Sequence, residues 1–282
     1  MSLRELADLR FNSSLARRVL RCVYKEGNVY RVLMGPLRGA RLVYHSSMTF
    51  HVILGASDLG IFRFLERVLV RGGFMPPESL VADVGANLGF YTLWFARHFR
   101  SVHAFEPAPR PRTFLEENMA ANSIRNVTIV NAACGSTDGS ADFFLSPNAY
   151  CSSFDSSWAA GGDTSTSKIT VPVVTLDSHF GGPGNAWPGL IKMDIEGGGT
   201  VALPGATRCL AEKRPFLLIE SHTPDEDRAI SAVLTQNDFV AWRFNTRSWV
   251  MDRTDTHPNP EGVWGTMFVC PSEKRRQIAA RI

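Results

Sequence analysis

The stretch Val81-Ala-Asp83-Val-Gly85-Ala-Asn87-Leu-Gly89-Phe-Tyr-Thr92 constrains this chain most. The apolar run over 80–84 reads as a buried strand carrying an acid near its end. Two glycines four apart, Gly85 and Gly89, then open a helix over 88–99. Glycine lets a ligand approach the backbone closely, and a helix start offers unpaired N–H groups. A dinucleotide fingerprint would put glycines at 85, 87 and 90, where this chain has Asn87 and Phe90 at the last two. A pyrophosphate loop therefore fits poorly. An acid just before the turn suits a ligand with a cationic amino group, such as the methionine end of S-adenosylmethionine (SAM).

The pattern around that stretch alternates apolar strands with amphipathic helices. Strands are expected at 102–105, 127–131, 169–174, 190–195 and 216–219, and helices at 111–122, 201–212 and 225–236. Such alternation argues for a mostly parallel α/β sheet covered on both faces. The strands expected at 239–244, 249–251 and 264–269 lack helices between them and read as an antiparallel edge. Before the sheet, residues 3–25 are expected to form a basic amphipathic helix and 57–71 a second helix. The Ser/Gly/Thr-rich stretch 146–168 reads as a long surface loop and a candidate lid.

Further candidates sit where strands end. Glu106, in Phe105-Glu106-Pro107, lies 17 residues after Gly89, where a carboxylate can accept both hydroxyls of a ribose. Asn131-Ala-Ala133-Cys-Gly135 offers small residues beside which an adenine could lie. Ile191-Lys-Met-Asp194-Ile-Glu196-Gly197 places two carboxylates at i and i+2, which on a strand share a face. They could act as a base, hold a divalent cation or orient a substrate. Glu220-Ser-His222 ends the next strand with an imidazole that could take a hydroxyl proton.

Composition narrows the class. At 282 residues, 44% hydrophobic and net charge +3, the chain is an ordinary globular protein and no strongly basic nucleic-acid binder. Charge is uneven, however: residues 1–71 hold 12 basic against 5 acidic residues. No stretch approaches the roughly 18 apolar residues of a membrane span, and the charged N-terminus lacks an apolar signal core. The five cysteines are widely spaced and fit buried thiols in a reducing cytoplasm better than a zinc site or disulfide framework.

In this order the motifs DVGANLGFYT (83–92), AFEP (104–107), NAACG (131–135), VVTLD (173–177), IKMDIEG (191–197) and LLIES (217–221) resemble the FkbM-type family of SAM-dependent methyltransferases. The resemblance covers about 75–245 and is loose over 1–70. It implies a Rossmann-like, seven-stranded class I methyltransferase sheet with an N-terminal helical extension. The expected division is 1–74 as a basic cap, 75–272 as the methyltransferase domain and 273–282 as a tail. It further implies O-methyl transfer from SAM to a hydroxyl of a sugar, glycan or polyketide-type natural product. The implied cofactor set is Asp83, Gly85, Ala86, Asn87, Gly89, Thr92, Glu106, Pro107 and Ala133, with Asp194, Glu196 and His222 as catalytic candidates and no metal site assigned. An RNA methyltransferase, or a nucleoside binder without catalysis, is the alternative. One departure stands out: the family usually carries an acid two positions after its DxEG, where this chain has Gly199. Cys151-Ser-Ser-Phe154 loosely matches a Ser-containing segment of the family's lid loop.

Overall fold

Leu80–Val84 is buried at every position, which is what a strand flanked by two parallel neighbours and covered on both faces requires. In the computed structural model, which describes residues 24–45, 48, 50–146, 152–154, 167–245, 250–252 and 265–281, this strand lies inside an eight-stranded sheet. The elements before it are β1 (Val29–Arg31), β2 (Arg41–Val43), α1 (Phe50–Leu54) and α2 (Leu59–Leu65), the last running into a π-helical turn, Glu66–Val70. Then follow β3 (Leu80–Val84), α3 (Phe90–His98), β4 (Ser101–Phe105), α4 (Pro109–Ala121) and β5 (Val127–Val130). A side sheet is built from β6 (Ala133–Cys134), β7 (Gly139–Leu145) and β8 (Ser167–Val174). After α5 (Leu176–Phe180) come β9 (Leu190–Met193), α6 (Gly199–Ala202), β10 (Phe216–Ser221), α7 (Pro224–Gln236), β11 (Phe239–Asn245), β12 (Val250–Asp252), β13 (Gly265–Pro271) and α8 (Arg275–Ala279).

The main sheet runs β12-β11-β13-β10-β9-β3-β4-β5. Strands β5, β4, β3, β9 and β10 are parallel, and β13 inserts antiparallel between β10 and β11. Seven of these strands form the expected Rossmann-like α/β sheet, and the short β12 adds an eighth to the antiparallel edge. The order reverses between β3 and β9, so the carboxyl ends of these strands open a crevice, the usual ligand position in such sheets.

Each face has its own core. One packs Leu37, Phe62, Leu65 and Leu69 against Trp94, Phe95 and Phe268. The other packs Phe180, Leu203, Leu210 and Ile230 against Ile191, Leu217 and Met267. Described residues before Gly72 therefore share a core with the sheet. Asn118, wholly buried on α4, ties them in further: its Oδ1 accepts from Val43 N at 2.7 Å and its Nδ2 donates to Leu88 O at 2.7 Å.

Three expectations need correcting. The helix over 201–212 is broken into α6, a 3-10 turn at Leu203–Ala206 and a π turn at Cys209–Lys213. Pro204 lacks the N–H a continuous helix needs, and a Cβ on Gly205 would lie 2.0 Å from Gly135 O. The extended stretch 169–174 belongs to the side sheet, paired antiparallel with β7, a strand unforeseen from its mixed, half-exposed pattern. The strand expected over 190–195 stops at Met193, because Glu196 and Gly197 both turn left-handed, with φ of 49° and 85°. The expected helix at 3–25 lies outside the described residues but for its last two, and most of the 146–168 loop lies outside them too.

Candidate functional site

A cavity of about 350 Å³ opens at the carboxyl ends of β3, β4 and β9, within the roughly 300–1,000 Å³ of small-molecule sites. Its wall has two chemically distinct halves.

The first half is backbone. Gly85, Asn87 and Gly89 all have positive φ, 75°, 49° and 86°. At Gly85 glycine is obligatory: an added Cβ would lie 2.0 Å from Asp194 O. At Gly89 a Cβ would meet Leu115 Cδ1 at 2.5 Å, so the loop sits directly on α4. Gly85 N and Ala86 N both donate to Phe105 O, pinning the loop to β4. Asn87 N donates to Glu106 Oε2 at 2.8 Å, and Ala108 N donates to Oε1 at 2.9 Å. Burial pushes the Glu106 carboxyl up to about 7, against the pull of these two amides, Lys192 and Arg112. Gly85, Ala86, Asn87, Glu106, Pro107 and Ala133 all line the cavity, whereas Gly89, also expected at the ligand, does not.

Asp83 and Thr92 are placed differently from the expected ligand contacts. Neither lines the cavity. Both are fully buried behind the loop, where Thr92 Oγ1 donates to Asp83 Oδ2 at 2.6 Å and Lys192 Nζ lies 3.6 Å from Oδ1. Burial raises the Asp83 pKa despite these partners. The pair braces the loop from inside.

The second half is a cluster of charged side chains. Lys192, buried on β9, donates to Gly85 O at 2.9 Å and lies 3.5 Å from Asp194 Oδ2. His222 Nε2 faces Asp194 Oδ1 at 3.5 Å, Glu196 Oε2 at 3.6 Å and Glu220 Oε1 at 3.8 Å, and Nδ1 faces Glu226 Oε2 at 3.6 Å. Burial opposes the imidazolium, yet Glu226, Glu196, Asp194 and Glu220 together outweigh it and hold His222 at about 9. Burial and the charge of Asp194 push Glu220 up to about 7. A protonated ring cannot take a hydroxyl proton, and His222 is not on the cavity wall. As a lone base it is poorly set, whereas Asp194 and Glu196 do line the cavity. They are brought together by the left-handed turn after β9; strand alternation plays no part.

Four cluster members were not assigned from sequence. Lys192 falls within the IKMDIEG stretch with no signal of its own, and Glu220 shows in sequence only as a neighbour of His222. Asp58 lines the cavity from the start of α2, its pKa raised by burial and by Asp194. Glu226 is 1% exposed and fixed by two amides, from His222 N at 2.7 Å and Gly199 N at 2.9 Å. A Cβ on Gly199 would lie 2.6 Å from Glu226 Oε1, so this carboxylate occupies the space a side chain at 199 would take. Residues 152–154 touch the same place: Ser153 Oγ donates to Glu196 O at 2.9 Å, and Ser152 and Phe154 line the cavity.

Over residues 83–246 the chain matches the family model described as the methyltransferase FkbM domain, a span of more than half its length. The chain belongs to the FkbM methyltransferase family. Among curated proteins it is similar to "Methyltransferase 1" of Beauveria bassiana (strain ARSEF 2860), 31% identical over 67 residues, covering 23% of this chain and 27% of that protein. Among solved structures it is similar to methyltransferase FkbM from Methylobacillus flagellatus KT, with 19% identity, TM-score 0.47, and coverage of 72% of this chain and 47% of that one. Another is precorrin-6y C5,15-methyltransferase from Geobacter metallireducens GS-15, with 12% identity, TM-score 0.41, and coverage of 75% and 87%. The chain thus spans well under two thirds of the first two relatives.

Proposed function

We propose that this chain is a SAM-dependent O-methyltransferase whose acceptor is a hydroxyl of a sugar, a glycan or a polyketide-type natural product. The observation that carries the reading is one cavity shared by the glycine loop with Glu106 and by the carboxylates of Asp194, Glu196 and Glu220. The residues present fit SAM. Glu106 offers a buried carboxylate for the ribose diol, Ala133 leaves room beside the adenine, and the Gly85–Gly89 turn admits a ligand against its backbone.

SAM supplies a methyl group on a sulfonium, which is already electrophilic. The chain's own task is to align the acceptor oxygen and remove its proton. As the new C–O bond forms, the C–S bond breaks and its electron pair stays on sulfur. The hydroxyl proton is removed at the carboxylate cluster led by Asp194. Three buried free thiols, Cys134, Cys209 and Cys270, accord with a reducing compartment, and we place the enzyme in the cytoplasm. No helix among the described residues is long and apolar enough to cross a membrane. We keep 1–74 as a basic cap, 75–272 as the catalytic domain and 273–282 as a tail.

The test is transfer of isotope-labelled methyl from SAM into extracts of cells lacking the gene. The expected product is one acceptor made heavier by one methyl on oxygen, absent when Asp194→Asn protein is used. Label on nitrogen or carbon, or full transfer by Asp194→Asn, would overturn the reading.

A further inference from the structure

Three groups that ligate metals converge at the carboxyl ends of two adjacent strands. The ligand atoms of Asp194, Glu220 and His222 all lie within 4.8 Å of one another. Nε2 of His222 is 3.5 Å from Asp194 Oδ1 and 3.8 Å from Glu220 Oε1. Ligands about 2.1 Å from an octahedral ion stand about 3 Å apart when adjacent, so a contraction of under about 1 Å would bring the imidazole nitrogen to that spacing from both carboxylates.

Two further contacts distinguish this cluster from solvated acids. The far ring nitrogen, Nδ1, faces the Glu226 carboxylate at 3.6 Å. A bound ion displaces the Nε2 proton of the imidazolium, and a carboxylate behind the ring keeps the remaining proton on Nδ1, which turns the Nε2 lone pair toward the metal. Glu226 is itself held by two backbone amides, so the ring is backed by a rigid group. Asp194 is oriented likewise: Lys192 holds its Oδ2 at 3.5 Å, and Oδ1 is the oxygen turned to the ring.

We propose that Asp194, Glu220 and His222 form a binding site for one divalent cation, and that the acceptor hydroxyl is bound there. Two carboxylates and an imidazole suit Mn²⁺ or Mg²⁺ in an oxygen-rich site. Three protein ligands leave about three of six positions open to the cavity. A hydroxyl oxygen in one of them is acidified by the ion's charge, and its proton passes to the carboxylate cluster through Glu196, which lines the cavity and is not a ligand. The oxygen then takes the methyl as the C–S bond breaks toward sulfur. The role of the cation rests on the methyl-transfer reading; the site itself does not.

The experiment is a titration of chelator-treated, full-length chain with Mn²⁺, followed by electron paramagnetic resonance, with SAM binding measured calorimetrically on the same sample. One Mn²⁺ per chain is expected. Asp194→Asn and Glu220→Gln should each weaken it at least ~10-fold, the scale on which even outer contacts alter metal sites, while SAM still binds. A chain that binds SAM but takes up no Mn²⁺ overturns the proposal. So does uptake that neither substitution weakens. Uptake at these residues without SAM binding would keep the site and remove the methyl-transfer reading.

Discussion

The two walls of the cavity are built on different principles. The wall of Gly85, Ala86 and Asn87 is a backbone device, part of a loop to Gly89 with three positive-φ residues, two amides on one carbonyl and one amide on Glu106. The wall of Asp194, Glu196 and Glu220 is a side-chain device, backed by one imidazole that these three carboxylates and Glu226 surround. Changes to the first should disturb fold and cofactor together. Isosteric changes to the second should disturb chemistry and leave fold and cofactor intact.

The sharpest break between the walls is Asp194→Asn. It should lower methyl transfer roughly 100-fold or more, the scale of losing a proton acceptor, with the affinity for SAM unchanged in calorimetry. A parallel loss of SAM binding would erase the distinction.

Gly85→Ala probes the other wall. The added methyl meets Asp194 O in a left-handed residue, and we expect about 2–4 kcal/mol of lost stability in denaturant unfolding, with SAM binding lost as well. Thr92→Val should cost about 1–3 kcal/mol by leaving the buried Asp83 carboxylate short of a donor. Because both side chains lie behind the loop, SAM affinity should hardly change. A large loss of affinity would return Asp83 to the ligand.

The smallest effect is set by pH. Burial raises Glu106 to about 7, so its ionised form, the better acceptor for a diol, grows as pH rises through neutrality. SAM should bind about 10-fold more weakly at pH 6 than at pH 8. The slope should flatten in Glu106→Gln. For stability the sign is opposite: an acid raised in the folded state binds more protons there, so its contribution falls as pH climbs from the ordinary carboxylate range to about 7.

How far each wall could be read from sequence follows from how it is built. The glycine loop is contiguous, and its requirement for positive φ is written in residue type, so Gly85, Gly89 and Glu106 stand out at once. What that reading missed is direction: Asp83 sits one residue before the end of β3 and points into the protein, toward Thr92. The charged cluster draws on β9, β10 and the first turn of α7, and only the fold brings them together. Asp194 and His222 were visible as strand-end residues. Glu226 was not, because Thr223-Pro-Asp-Glu226 has the form of a helix cap, and Thr223 does accept from Glu226 N. Its carboxylate reaches instead to His222 N and Gly199 N. That contact also gives a physical account of Gly199: no side chain fits there beside Glu226.

The central claim, that the glycine loop and Glu106 hold SAM, is tested most directly by titrating SAM into the intact chain and into Glu106→Ala in a calorimeter, with NAD as the competing nucleotide. One SAM per chain is expected, weakened about 10-fold or more in the variant through loss of hydrogen bonds to a charged group, with no heat from NAD. Binding of NAD in place of SAM, or equal SAM affinity in Glu106→Ala, would contradict it.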